Sequence, residues 1–131
     1  MVFLTQTSEA VDYMQCIKNA AYYHNVNPKL LYAIAIVESG LNPKAVNKNK
    51  NGTKDYGMFQ INEDNLKRLG FSREIALDPC KSAYIAGYLL KVCVGRFGLS
   101  WQAIDCYNKG YKAKGYTKYV RKVLKVYRRL N

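Results

Sequence analysis

The sequence predicts a mainly helical single domain with one short β-hairpin. Apolar residues recur at helical spacing through most of the chain, and capping residues precede the periodic segments. The hairpin signal falls between residues 46 and 60, where Asn51-Gly52 is a strong turn pair. With 131 residues and no linker or repeat, the chain has room for one domain, which we place at 1–131.

Each predicted helix begins at a capping residue and ends near a stop signal. The predicted helices run from Ser8 to about His24, from Asn27 to about Gly40, from Asn62 to about Gly70, from Ser72 to about Asp78, from Asp78 to about Gly98 and from Ser100 to about Asn108, and the last begins at Thr117. We expect residues 1–7 to form a flexible N-terminal tail and Phe97 and Trp101 to lie in the core.

The four cysteines predict two disulfides and an oxidising compartment. Cys80 and Cys93 lie on one predicted helix, about 20 Å apart at 1.5 Å per residue, so they cannot pair. Of the two remaining connectivities we favour Cys93–Cys106 with Cys16–Cys80, because Cys93 and Cys106 lie at similar depths in a predicted helical hairpin. Four free thiols are the alternative. The wide spacings and the lone His24 disfavour zinc, and we expect no metal and no cofactor.

The net charge of +12 indicates a polyanionic partner or surroundings. The densest basic stretch, residues 116–129, has apolar residues at helical spacing with Lys and Arg opposite them. This pattern is more typical of the solvated face of a packed helix than of a DNA-binding helix. We therefore expect no nucleic-acid partner. An anionic cell-wall polymer or lipid headgroups would suit the charge equally well.

We expect neither a transmembrane segment nor a signal peptide within this sequence. The longest apolar run, Leu30 to Val37, is far shorter than the roughly 20 residues that span a bilayer, so no transmembrane segment is expected. Met1 to Leu4 is too short for a signal peptide. The cysteines nevertheless favour a periplasmic or exported protein, whose signal peptide is then absent from this chain.

Two carboxylates are the candidate catalytic groups. Leu30, Ile34 and Glu38 recur every four residues, which places Glu38 on a buried face at the C-terminal end of a helix. Burial and the helix dipole both raise the pKa of an acid there, as a general acid requires. Asp55 follows the hairpin turn, and we expect it to face Glu38 as an anion. An exposed helix-end glutamate and a simple turn aspartate are the alternatives.

The polar groups near this pair are candidate sugar-binding residues. Asn47, Asn49, Gln60 and Asn62 carry amide donors and acceptors suited to hydroxyl and acetamido groups. Tyr107 and Asn108, at the end of the Ser100 helix, are further candidates for the same groove.

Three motifs resemble those of the family 1 lytic transglycosylases, which degrade peptidoglycan. They are ESGLNP, GMFQIN and CYNKG, and the ending YVRKVLKVY is also similar. The resemblance covers residues 12–127 and is strongest to the small members associated with secretion systems and pili. It implies a lysozyme-like α+β fold, in which the hairpin flanks the active-site groove, and a monomer that acts on peptidoglycan glycan strands, with a secretion or pilus component as a possible partner.

The resemblance also implies residue roles. Glu38 would protonate the leaving oxygen and then activate the muramic acid 6-hydroxyl, which gives a 1,6-anhydro product. Tyr107 would position Glu38, and Ser39, Gln60 and Asn108 would contact the sugar or shape the groove. Lys109 departs from the family pattern, in which a small residue is usual.

The segment from Glu38 to Asn62 also resembles the active-site hairpin of C-type lysozymes without a gap, through ES, NGTKDYG and QIN. In that alignment Asp55 falls on the second catalytic carboxylate, which most lytic transglycosylases lack. Three functions therefore remain open from the sequence. They are a lytic transglycosylase, a hydrolytic muramidase, and a basic non-enzymic module that binds cell wall or nucleic acid.

Overall fold

The structure is a computed structural model that describes residues 12–130. Within these residues, seven α-helices, a 3₁₀ turn and three short strands follow one another. They are α1 (Tyr13–His24), α2 (Pro28–Ser39), β1 (Val46–Lys48), β2 (Lys54–Tyr56), β3 (Ile61–Asn62), α3 (Glu63–Leu69), α4 (Arg73–Ala76), α5 (Pro79–Phe97), α6 (Trp101–Lys109), the 3₁₀ turn Gly110–Lys112, and α7 (Lys118–Arg129). The mainly helical fold with a small β element and two disulfides is confirmed.

The helix boundaries follow the capping residues closely. The side chains that accept hydrogen bonds from the first helical turns are Asn27, Asn62, Asp78, Ser100 and Thr117, as predicted. Ser72 precedes α4 without a side-chain cap. The predicted tail and the predicted cap at Ser8 lie outside the described residues, and the helix that ends at His24 begins at Tyr13, where Asp12 accepts a hydrogen bond from the N–H of Gln15.

The core lies between α2 and the helices packed around it. α1 packs against α5 and α2, α5 packs against α6, and α7 packs along α2. The largest fully buried apolar side chains are Ile17, Leu31, Ile34, Met58, Phe59, Ile61, Leu90, Val120 and Val123. Trp101 was expected in this core, but it is 49% exposed and makes an edge contact with Tyr116 instead. No helix within residues 12–130 is long and apolar enough to cross a membrane.

Two disulfides link the helices. Cys16 of α1 is bonded to Cys80 of α5, with 5.1 Å between their Cα atoms. Cys93 of α5 is bonded to Cys106 of α6, with 5.7 Å between their Cα atoms. These are the two pairs favoured from the helix spacing. Each bond ties α5 to a neighbouring helix and stabilises the fold mainly by restricting the unfolded chain.

The β element is a three-stranded antiparallel sheet in the order β1-β2-β3, one strand larger than the predicted hairpin. Asn47 pairs with Asp55, and Asp55 pairs with Asn62, so the three residues form one row across the sheet. The turn spans three residues, 50–52, one more than the two-residue Asn51-Gly52 turn that the sequence predicted, and Asn51 does not adopt a positive φ. Asn49 N–H donates to the Thr53 carbonyl (2.8 Å), and Gly52 takes the positive φ of +89° that this turn requires.

Gly57 joins the sheet to the helical part of the fold. Its φ is +82°, its N–H donates to the Ala45 carbonyl (2.7 Å), and a Cβ placed on it would lie 1.9 Å from the carbonyl oxygen of Ala76. The backbone of the GMFQIN segment therefore lies too close to the end of α4 to leave room for a side chain.

We expect Gly57→Ala to destabilise the protein by about 2 kcal/mol or more beyond Gly70→Ala, because overpacking against backbone adds to the cost of a positive φ. Gly70 is the matched control, since its φ is +80° and nothing lies within 4 Å of an added Cβ. Urea unfolding of both variants measures the difference. Equal free energies of unfolding would show that the contact with Ala76 is not restrictive.

Candidate active site

Glu38 lies in the last turn of α2, next to the end of the helix. Gly40, with φ of +65°, ends the helix in the left-handed conformation. Leu30 and Ile34, on the same face, are buried in the core. The hydroxyl of Tyr119, from the first turn of α7, donates a hydrogen bond to Glu38 Oε2 (2.8 Å). Glu38 is thus a half-buried carboxyl where α7 packs along α2, and its helical spacing predicted that it would be shielded from solvent.

The surroundings raise the pKa of Glu38 from 4.5 to about 7. Burial is the largest cause, because it penalises the charged form. The Tyr119 hydrogen bond acts in the opposite direction, since the hydroxyl stabilises the anion, and the negative charge of Asp55 raises the pKa further. A carboxyl with a pKa near neutrality can both donate and accept a proton at physiological pH.

Two tyrosines lie beside Glu38 with different partners. Tyr119 contacts the carboxyl itself, whereas the Tyr107 hydroxyl donates to the Phe59 carbonyl (3.0 Å). Burial and the nearby Glu38 raise the pKa of both phenols well above 10, so both remain protonated donors. The sequence assigned the positioning of Glu38 to Tyr107, but the direct hydrogen bond comes from Tyr119. Tyr107 instead ties α6 to the GMFQIN segment.

Asp55 lies half-buried in the middle of the sheet row. Its Oδ1 accepts hydrogen bonds from the side-chain amides of Asn49 (3.1 Å) and Asn62 (2.9 Å). Both amides also donate to Thr53 Oγ1, at 3.2 and 3.0 Å, so four neighbouring side chains form one network. Two N–H donors suit a carboxylate that only accepts. No group in residues 12–130 donates to Oδ2.

Several other predicted sugar-binding residues already make hydrogen bonds within the protein. Asn47 donates to Gln60 Oε1 (2.8 Å), and the Gln60 amide donates to the carbonyls of Gly57 and Ala45. Ser39 Oγ donates to the Met58 carbonyl (2.7 Å), so it connects α2 to the sheet segment.

The predicted sugar-binding side chains differ in how accessible they are to a substrate. Asn49 and Asn62 are committed to Asp55, whereas Asn108 is exposed and has no hydrogen bond to another side chain within residues 12–130. Asn47 is also exposed and has one amide hydrogen left to offer a ligand. These two side chains are the ones in the set most available to a substrate.

Sequence reasoning missed Tyr119 and two residues that lie near it, Asp105 and Lys109. Tyr119 is 81 positions from Glu38 along the chain, so no local pattern connects them. Asp105 is buried in α6 at 0% exposure, and its partner is Lys109. The one available signal was the departure of Lys109 from the family motif.

A separate cavity lies away from this site. It has a volume of about 530 Å³, lies among α1, α3, α4 and α5, and is lined mainly by aromatic and aliphatic side chains, among them Tyr23, Phe71, Tyr84 and Tyr88. None of the predicted site residues lines it. The two carboxyls in unlike surroundings, one buried and protonated near neutrality and one held by amides, are what can support acid–base chemistry.

Comparison with known proteins identifies relatives across most of the chain. Residues 15–126, from α1 into α7, match the family model described as the Transglycosylase SLT domain. Protein IpgF of Shigella flexneri is 40% identical over 118 residues, which cover 87% of this chain and 78% of the relative. Invasion protein IagB of Salmonella typhi is 35% identical over 122 residues, which cover 88% of this chain and 76% of the relative. A peptidoglycan-binding-like protein of Escherichia coli O157:H7 is 35% identical over 130 residues, which cover 88% of this chain and 78% of the relative.

The raised pKa of Glu38 predicts a specific dependence of stability on pH. The folded state binds this proton more tightly than the unfolded state, so the contribution is complete below pH 4.5 and is lost as the pH rises through about 7. Relative to Glu38→Gln, the wild type should lose about 3 kcal/mol of unfolding free energy over that window.

Urea unfolding at a series of pH values measures this loss, and the exposed Glu74→Gln serves as a control that should keep it. Parallel curves for the wild type and Glu38→Gln would contradict the raised pKa.

Proposed function

Because this chain belongs to the Transglycosylase SLT domain family, we propose that it is a peptidoglycan lytic transglycosylase that cleaves the MurNAc-β-1,4-GlcNAc bond. The family assignment confirms the resemblance indicated by the motifs. The observation that supports the activity most directly is Glu38, whose pKa is raised to about 7 next to a half-buried aspartate. Carboxyl pairs of this kind perform glycosidic bond cleavage.

In the proposed reaction, protonated Glu38 gives its proton to the glycosidic oxygen as the bond from C1 to that oxygen breaks. The ring then carries positive charge, which the anionic Asp55 stabilises electrostatically. Glu38, now an anion with a hydrogen bond from Tyr119, accepts the proton of the muramic acid 6-hydroxyl. The 6-oxygen bonds to C1, which closes the 1,6-anhydro ring and returns Glu38 to its protonated form.

Hydrolysis is the second candidate, because the segment from Glu38 to Asn62 resembles the active-site hairpin of C-type lysozymes, in which Asp55 falls on the second catalytic carboxylate. In that case water would replace the 6-hydroxyl as acceptor, as in the muramidase alternative. The third possibility, a non-enzymic binding module, gives no reason for a carboxyl buried with a pKa near 7. Burying an ionisable group lowers stability, and active sites commonly carry this cost.

The substrate-binding surface in this proposal differs from the one read from the sequence. Asn47 and Asn108 contact the glycan directly, and Gln60 fixes Asn47 and the backbone of residues 45–57. Asn49 and Asn62 act on Asp55 rather than on the sugar. The evidence for this division is the set of amide hydrogen bonds around Asp55 and Gln60.

The proposed setting is the cell wall, outside the cytoplasm. Two disulfides suit an oxidising compartment, and the charge of +12 suits an anionic wall. The Salmonella relative is called an invasion protein. We therefore place this enzyme in the periplasm or an exported space, where it opens the wall locally for a secretion or pilus apparatus.

Digestion of purified peptidoglycan, followed by mass spectrometry of the products, tests the reaction. We expect 1,6-anhydro ends, which are one water lighter than hydrolysed ends. Glu38→Gln should lower the rate by about 10²–10⁴-fold, because the amide is nearly isosteric but cannot donate the proton. Hydrolysed ends would establish the muramidase alternative, and more than about a tenth of wild-type activity in Glu38→Gln would refute the acid assignment.

Asp55→Asn should lower kcat and kcat/KM together by about tenfold or more, because the anion acts mainly in the transition state. Binding of glycan fragments should barely change. Asp64→Asn, the same charge change at an exposed position of α3, should retain wild-type kinetics. A wild-type kcat in Asp55→Asn would mean that the substrate's own acetamido group provides the stabilisation and that Glu38 acts alone.

A further inference from the structure

Lys109 lies between a buried carboxylate and the tyrosine that contacts Glu38. Its ammonium forms an ion pair with Asp105 one helical turn earlier on α6. The same ammonium lies 5.9 Å from the centroid of the Tyr119 ring. That distance is within the range of a cation–π attraction. One side chain therefore contacts both α6 and the first turn of α7.

Asp105 holds this arrangement in place. The carboxylate is 0% exposed and accepts hydrogen bonds from Lys109, from the backbone N–H of Lys114 (2.8 Å) and from the Thr117 hydroxyl (2.7 Å). Burial alone would raise the pKa of Asp105, but these hydrogen bonds outweigh it and lower the pKa. Thr117 is also the N-cap of α7, so Asp105 fixes the start of the helix that carries Tyr119.

We propose that the Asp105–Lys109 ion pair positions the Tyr119 hydroxyl on Glu38 and thereby sets the environment of the proposed catalytic acid. Lys109 and Asp105 are positioning residues, because neither touches Glu38. The order of contacts is Asp105 to Lys109, Lys109 to the Tyr119 ring, and the Tyr119 hydroxyl to Glu38 Oε2. The catalytic part of this inference depends on the proposed function, whereas the positioning part does not.

Within the described part of the chain, few titratable groups face Tyr119 and Glu38. Tyr119 faces Glu38 on α2 and Tyr107 and Asp105 on α6, and Glu38 faces Asp55 on β2. None of these carries a positive charge, so Lys109 is the cation of the cluster. Its side chain is 34% exposed, which leaves room to substitute it without opening the core.

Direct titration of the Glu38 carboxyl by ¹³C NMR in the intact protein tests the positioning. Lys109→Met should raise the Glu38 pKa by about half a unit, because a loosened Tyr119 hydroxyl stabilises the anion less. Lys109→Arg keeps the cation and should keep the wild-type value. Lys114→Met is the matched control, since it removes a lysine from the adjacent loop and leaves the backbone N–H on Asp105 unchanged.

Two further variants separate positioning from simple electrostatics. In a Tyr119→Phe background, Lys109→Met should produce no additional shift, because the hydroxyl it acts through is gone. The double variant Asp105→Asn/Lys109→Met, which removes both charges, should still show the raised Glu38 pKa. Three results would each overturn the proposal: an unchanged Glu38 pKa in Lys109→Met, an equal pKa shift from Lys109→Met in the Tyr119→Phe background, or a wild-type Glu38 pKa in the double variant.

Kinetics then connect the positioning to activity. Lys109→Met should lower kcat about three- to tenfold with KM unchanged, and Lys109→Arg should recover most of this loss. A change in KM with kcat unchanged would overturn the catalytic part. An inactive wild type with the predicted titration shifts would sustain the positioning and refute only the proposed function.

Discussion

Burial of the Glu38 carboxyl against the Tyr119 hydroxyl is the interaction on which the rest of the site depends. The buried face of α2 shields Glu38 from water, which raises its pKa to about 7, and α7 packs along α2 so that the Tyr119 hydroxyl donates to Oε2. This hydrogen bond limits the cost of burial when the carboxyl ionises. The packing that stabilises the fold is therefore the same packing that holds an acid near neutrality, and the stability and chemistry of this site cannot be changed independently.

The two carboxyls differ because two kinds of secondary structure surround them. Helix α2 carries Glu38 on its buried face, where the Tyr119 hydroxyl is its one side-chain hydrogen-bond partner within residues 12–130. The folded hairpin instead places the amides of Asn49 and Asn62 beside Asp55. Unlike environments push two acids towards different protonation states, which is the arrangement that acid–base catalysis uses. The disulfide between Cys93 and Cys106 ties α5 to α6, the helix that carries Asp105 and Tyr107.

Local rules explain which parts of this account were readable from the sequence. Four features depend only on residues within one helix or one turn. They are the helix caps, the spacing that buries Glu38, the place of the hairpin turn, and the exclusion of a Cys80–Cys93 bond. The Tyr119 contact depends on how α7 packs against α2, and the sequence carries no local trace of that packing. Asn49 and Asn62 were read as sugar-binding groups because an amide serves a sugar or a carboxylate equally well. The choice depends on the folded hairpin, which brings both amides within hydrogen-bond distance of Asp55.

The pH profile of kcat/KM is the decisive measurement for Glu38, because its alkaline limb reports loss of the proton from the acid in the free enzyme. In the wild type this limb should lie near pH 7. It should move to higher pH in Tyr119→Phe, where the anion loses its donor, and to lower pH in Asp55→Asn, where the neighbouring negative charge is removed. A limb that stays in place in both variants, or moves in the same direction in both, would contradict the assignment of Glu38 as the buried acid held between Tyr119 and Asp55.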